Sequence, residues 1–146
     1  MKEEKLKKIA GKFLLGAAAL LAVSIISLRI YQAASHHLFC FIPGTVVTIS
    51  FEDRDRQTHI NVSDDEKLQK IVELLNGFRY ESRVHNPPAG GGGTWATIGG
   101  FILFQPTSFD IFPSGVGFSR GDGTSVTYES ADPEYFQPLF DLLKSR

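Results

Sequence analysis

From Phe13 to Leu28 the chain reads FLLGAAALLAVSIISL, sixteen residues without a charge, and a helix apolar on every face needs either a protein shell or a membrane around it. A chain of 146 residues has too little protein left to supply that shell. Sixteen helical residues rise only about 24 Å, but a helix from Ile9 to Tyr31 rises about 34 Å and clears the hydrocarbon core, with Lys12 and Arg29 near its two interfaces. We therefore expect a transmembrane signal-anchor over residues 9–31, preceded by a basic tail over residues 1–12 in which five lysines outnumber two glutamates. The positive-inside rule holds that tail in the cytoplasm and exports the rest. Cleavage as a secretory signal near Ala33, Ala34 and Ser35 is the alternative, opposed by the length of the apolar run and by Arg29 ahead of the site.

Beyond the anchor the balance of charge changes sign. Residues 36–146 hold nine basic and fourteen acidic side chains, a net of −5, which argues against a nucleic-acid partner. Cys40 is the sole cysteine, so no internal disulfide staples this part and its stability has to come from apolar burial. The thiol is expected to be inert, packed among Phe39, Phe41 and Ile42, with an intermolecular bridge as the alternative.

After a juxtamembrane linker, residues 32–44, the pattern predicts one extracytoplasmic domain over residues 45–146. TVVTISF (45–51) places Val47, Ile49 and Phe51 at period two, and QTHINV (57–62) repeats the alternation, so the two read as a hairpin. In SDDEKLQKIVELLNG, Ser63 and Glu66 have capping-box spacing, Leu68, Ile71, Val72 and Leu75 share a helical face, and Gly77 stands where a C-cap belongs. Four β-prone stretches come next, 94–104, 109–112, 116–119 and 124–129, separated by QPTS, PSG and RGDG, which is the pattern of an antiparallel meander. DPEYFQPLFDLLKSR closes the chain as a helix that is kinked at Pro138 or starts late because of it. The expected class is α+β in ββα-ββββ-α order, an antiparallel sheet packed against two helices.

An anchor, a hairpin, the capped helix SDDEKLQKIVELLNGF, a glycine-bearing strand pair and the closing DPEYFQPLFDLL together resemble the small membrane-anchored extracytoplasmic domains of uncharacterised function in low-GC Gram-positive bacteria. The resemblance covers residues 45–144 by order of elements. It implies a location and an architecture, with no activity to carry over.

Catalytic motifs are incomplete. GFSRG (117–121) matches the Gly-x-Ser-x-Gly nucleophile elbow, but a hairpin turn comes after Ser119 where the elbow requires a helix, and all four histidines precede it. A hydrolase would have to bring His59 or His85 to Ser119 in space. Arg120-Gly121-Asp122 is an adhesion-type tripeptide at a predicted hairpin tip, where Asp-Gly is also ordinary turn chemistry. EDRDR gathers Glu52, Asp53 and Asp55 without the ligand spacing of a calcium loop, and Arg54 and Arg56 neutralise it. His36 and His37 lack further ligands at zinc spacing, so no metal site and no cofactor are expected.

Four glycines after Pro87-Pro88 raise the question of a phosphate cradle. A Walker loop would end in Gly-Lys-Ser/Thr, and here Gly93 precedes Thr94 and Trp95; a dinucleotide fingerprint needs a helix next, and here the glycines lead into a strand. HNPPAGGGGT is instead expected to be a solvent-exposed flap leading from Arg83 into the Trp95 strand. Of the aromatic residues Trp95, Phe101, Phe104, Phe109, Phe112, Phe118 and Tyr128, most are expected to fill the sheet–helix interface, with Trp95 as the exception beside the glycine loop. The chain therefore reads as a non-enzymatic, membrane-tethered module that binds a protein, peptide or envelope component, with Trp95, Gly91, Gly92, Arg120 and Asp122 as candidate contacts. A small envelope hydrolase and a subunit of a membrane assembly, its helices paired through Ala18 and Ala22, are the alternatives.

Overall fold

The uncharged, mostly apolar run 13–28 does produce a continuous helix, longer at both ends than the bilayer requires. The computed structural model describes residues 2–53, 55–87, 93–102 and 105–145, and its first element is α1 (Lys2–Ser35). Glu3 and Glu4 lie in its first turn, where they complement the helix dipole and let the basic tail join the helix instead of remaining a separate segment. The apolar window of α1 has mean hydropathy 2.2 and none of it is buried, so the helix is long and apolar enough to cross a membrane. The chain divides into two compact units, Met1–Ser35 and His36–Arg146.

The second unit is α+β. It contains β1 (Val46–Asp53), β2 (Thr58–Val62), α2 (Asp65–Gly77), β3 (Ser82–His85), β4 (Thr94–Gly100), β5 (Ser108–Phe112), β6 (Gly115–Ser119), β7 (Ser125–Glu129) and α3 (Gln137–Lys144). The strands form one antiparallel sheet in the order β2-β1-β4-β5-β6-β7-β3. β4 to β7 are the expected meander. β3 is a seventh strand that the sequence pattern concealed: its four residues are all exposed, so no alternation of apolar and polar side chains marks it, and it exists because β7 offers an unpaired edge. The predicted glycine flap is shortened accordingly, because its first residues, Arg83 to His85, are strand.

One face of the sheet carries the core. Ile49 and Phe51 of β1, Ala96 and Ile98 of β4, Phe109 and Ile111 of β5 and Val116 of β6 are buried against Leu68, Ile71, Val72 and Leu75 of α2 and Leu139 of α3. Each fully buried aliphatic side chain of that set contributes about 1.5–3 kcal/mol. Val47 is absent from it: the register shifts between Val46 and Thr48, so Val46 is buried and Val47 turns outward. A β-bulge thus overrides the period-two reading of this strand. Among the aromatics, Phe109, Phe118 and Tyr128 do pack in the core, whereas Phe101 is exposed and Phe112 lies on the opposite face; Phe104 lies outside the described residues.

Residues 36–44 are not a linker. Phe39 and Phe41 are buried, and the Phe39 ring centroid lies 4.8 Å from Phe109 and 5.6 Å from Phe41. Asn76 of α2 clamps the segment from both sides, its Oδ1 accepting from the Phe41 N–H at 2.7 Å and its Nδ2 donating to the Phe41 carbonyl at 2.9 Å. His36 stacks on Tyr80 at 5.0 Å, and the Tyr80 N–H donates to the His36 carbonyl. Cys40 is exposed at this surface, not packed in the core.

Helix ends depart from the sequence reading in small, explicable ways. The N-cap of α2 is Asp64, not Ser63; its carboxylate accepts from the Lys67 N–H at 3.0 Å, leaving Glu66 to pair with Lys70 one turn on. Gly77 belongs to the last turn of α2, whose C-cap is Phe78 in extended conformation. A Cβ on Gly77 would lie 2.9 Å from the Tyr135 hydroxyl, which donates to the Leu74 carbonyl at 2.9 Å. α3 starts late, with Pro138 in its first turn, and Asp132 instead shapes the preceding turn by accepting from the Glu134 N–H.

Burial raises the pKa of Tyr135 above 10.0. Below pH 10 the phenol is neutral in both folded and unfolded chains, and above it the unfolded chain releases its proton first, so folding stability falls as pH rises through that range. Tyr135→Phe is expected to cost about 0.5–1.5 kcal/mol at neutral pH and to flatten this alkaline decline. Urea titrations at neutral and alkaline pH check both; an unchanged midpoint at neutral pH would refute the assigned role of the bond.

Candidate functional site

Among the described residues β2 is an edge strand, bonded to β1 alone, and all its residues but Val62 are exposed. Alternation sends Thr58, Ile60 and Val62 to the helix side, yet α2 begins beyond them and α3 is only eight residues long, so this corner of the sheet is incompletely roofed. A cleft of about 800 Å³ results, with Ile60, Phe51, Phe140 and Leu143 as apolar wall. Its charged rim includes Asp53, Arg56, Asp64, Lys67 and Lys144.

Most of those charges already have work within the fold. Asp53 Oδ1 accepts from the backbone N–H groups of Asp55 and Arg56, and its other oxygen lies 3.8 Å from Arg56 Nε. Asp64 caps α2, and Lys144 pairs with Asp141 at 3.9 Å. The Lys67 ammonium has no such partner among the described residues. The cleft thus combines unpaired strand edge, apolar wall and one available cation, which is the equipment for holding an extended chain: ladder hydrogen bonds give affinity, and pockets for alternate side chains give selectivity.

The residues singled out from sequence are dispersed over other parts of the domain. Trp95 is half-buried on the sheet face opposite α2 and α3, between Glu52 of β1 and Asp110 of β5, its register neighbours. That face is floored by glycine: a Cβ on Gly117 would meet the Phe112 ring at 3.1 Å and one on Gly93 at 2.7 Å. Gly91, Gly92 and Arg54 lie outside the described residues.

Arg120 and Asp122 lie in the β6–β7 turn. The Asp122 carboxylate accepts from both the hydroxyl and the backbone N–H of Thr124, at 2.6 and 2.9 Å, and these bonds hold its pKa below the usual carboxylate value. Asp122 is thereby engaged in shaping its own turn.

Neither His59 nor His85 is placed to reach Ser119. It alternates with Phe118 and so projects from the uncovered face, whereas His85, opposite Val126, is on the face of Phe118, with β7 between. His59 in β2 stands four strands from β6, about 19 Å along the sheet, against a hydrogen-bond reach of about 3 Å. Among the described residues no group of three or more His, Cys, Asp or Glu side chains is placed to hold a metal ion.

The cleft itself escaped the sequence reading because its walls come from segments far apart in the chain, among them Phe51 and Ile60, Thr94, Pro113, and Phe140 and Leu143. The one local signal was Ile60, an apolar residue in a strand whose neighbours are polar. Comparison of the chain with protein-family models, curated proteins and solved structures finds no match.

Proposed function

We propose that this chain is a single-pass membrane protein whose C-terminal domain, on the extracytoplasmic side, recognises an extended peptide segment along β2. The observation that carries the reading is the coincidence of an 800 Å³ cleft with an unpaired edge strand. The Lys67 ammonium on the rim favours a peptide that carries a carboxylate beside its apolar residues. Supporting the location are the apolar helix α1, the five lysines before its uncharged core and the acidic balance of residues 36–146. The order of elements, similar to that of anchored domains in Gram-positive bacteria, agrees with it. A serine hydrolase finds no support in the separation of Ser119 from His59 and His85.

Panning a peptide library against the full chain in detergent micelles tests the reading. Enriched peptides are expected to lose about tenfold or more in affinity for Ile60→Asp, and several-fold for Lys67→Glu, while Trp95→Ala binds as wild type. Peptides that bind Ile60→Asp undiminished would place recognition elsewhere.

A further inference from the structure

Three of the most exposed large apolar side chains of the second unit are neighbours. Ile42, Val47 and Phe101 are 67%, 63% and 72% exposed, and Thr45, two residues before Val47, joins the other two: its N–H and hydroxyl donate to the Ile42 carbonyl, and its own carbonyl accepts from the Phe101 N–H at 3.0 Å. Two backbone devices build this tip. The bulge in β1 sends Val47 outward where simple alternation with Ile49 and Phe51 would bury it. Gly100 has φ +142°, and a Cβ there would lie 2.2 Å from the Thr45 carbonyl oxygen, so only glycine lets the two chains cross closely enough to seat Phe101 beside Thr45.

The composition of the tip's own two segments suits one kind of surface. Residues 38–51 and 93–109, the two stretches that supply it, contain no Asp, Glu, Lys or Arg. A protein partner is usually met through an apolar centre with a charged or polar rim, whereas an uncharged tip with an exposed phenylalanine suits the headgroup–acyl boundary of a bilayer. Reach agrees: from Ser35, the last residue of α1, to Ile42 is seven residues, at most about 25 Å of chain.

We propose that Ile42, Val47 and Phe101 insert into the interfacial layer of the membrane that α1 spans, so that the domain is docked on the lipid and not merely tethered to it. This rests on the reading of α1 as a membrane span, and the test separates the two. The full chain carries one tryptophan, so Trp95→Phe provides a silent background into which Phe101→Trp or, as control on the distant edge strand β3, Val84→Trp is placed. Each is reconstituted into phosphatidylethanolamine/phosphatidylglycerol vesicles whose acyl chains are brominated near the carbonyl, with far-UV circular dichroism as the check of folding.

The expected result is that Phe101→Trp emission is blue-shifted and quenched about twofold or more relative to unbrominated vesicles, Ile42→Trp likewise, while Val84→Trp is unaffected. Chains that float with the vesicles but show equal, weak quenching at Phe101→Trp and Val84→Trp would overturn the docking and leave the anchor standing. Chains that do not float would overturn both. Quenching absent from vesicles together with a blue shift that grows with protein concentration would assign the tip to a second copy of the chain, and also overturn the proposal.

Discussion

A domain that begins at Thr45 is expected not to fold, while one that begins at His36 is expected to melt cooperatively. The nine residues between them contribute Phe39, 1% exposed, and Phe41, 4% exposed, to the core. Phe39 is in ring contact with Phe41, Phe109 and Phe118, joining the segment to the centre of the sheet. Removing the segment would also strip Asn76 of its bonds to both backbone groups of Phe41, leaving a part-buried amide unsatisfied at the helix face.

The single change Phe39→Ala isolates the packing contribution. It should cost about 3–5 kcal/mol, the range for a buried phenylalanine whose neighbours cannot close the cavity. Since domains of this size are stable by only about 5–15 kcal/mol, the variant should melt far earlier or not fold at all. Urea unfolding followed by circular dichroism measures both effects; a 45–146 fragment with the midpoint of the 36–146 fragment would show that the segment is the linker its position suggests.

Gly115→Ala is expected to be comparably severe. Gly115 is buried at the start of β6, opposite Glu129 of β7, and a Cβ there would lie 2.0 Å from the Tyr128 carbonyl oxygen and 3.0 Å from the Glu129 Cα. Both obstacles are backbone, so relief requires β6 and β7 to part, and with β7 goes the attachment of β3. The cost should exceed the usual overpacking range of about 1–3 kcal/mol. Gly121→Ala is the matched control, because nothing lies within 4 Å of the added methyl. If both variants unfold at the same denaturant concentration, the β6–β7 contact is looser than described.

Local patterns and tertiary context divide the determination of this protein in a physically sensible way. Leu68, Ile71, Val72 and Leu75 announced α2 because a helix buries residues at fixed spacing whatever it packs against. The meander was legible for a similar reason, its turns being written in Pro, Gly and Asp, while Pro138 left a kink or a late start open for α3, and the fold has the late start. Short-range capping chemistry was legible only approximately: Ser63 and Asp64 are both good caps, and which one served depended on where the hairpin delivered the chain.

Other features had no local signature. β3 is a strand because β7 has a free edge, and the sequence SRVH carries no burial to reveal it. Residues 36–44 look like a stalk in composition, yet they are held by Asn76, Tyr80 and Phe109, all at least 35 residues away in the chain. The bulge at Val47 cannot be read from residues 45–51, where Val47, Ile49 and Phe51 keep period two, because the register shift arises in the pairing of β1 with Gly99 and Gly100. Trp95 stood out as a rare residue beside glycines, whereas the cleft at β2 is made of ordinary residues brought together from distant segments.

An apolar helix long enough to span a bilayer, an α+β domain after it and the identity of most elements are legible in the order of residues alone, since composition and periodicity are properties of the chain over one or two turns or a few strand residues. Where the domain begins, which strands are edges and which surfaces stay open were settled only by the packed fold. Those depend on which distant segments compete for the same face of the sheet, and no window of the chain contains both competitors.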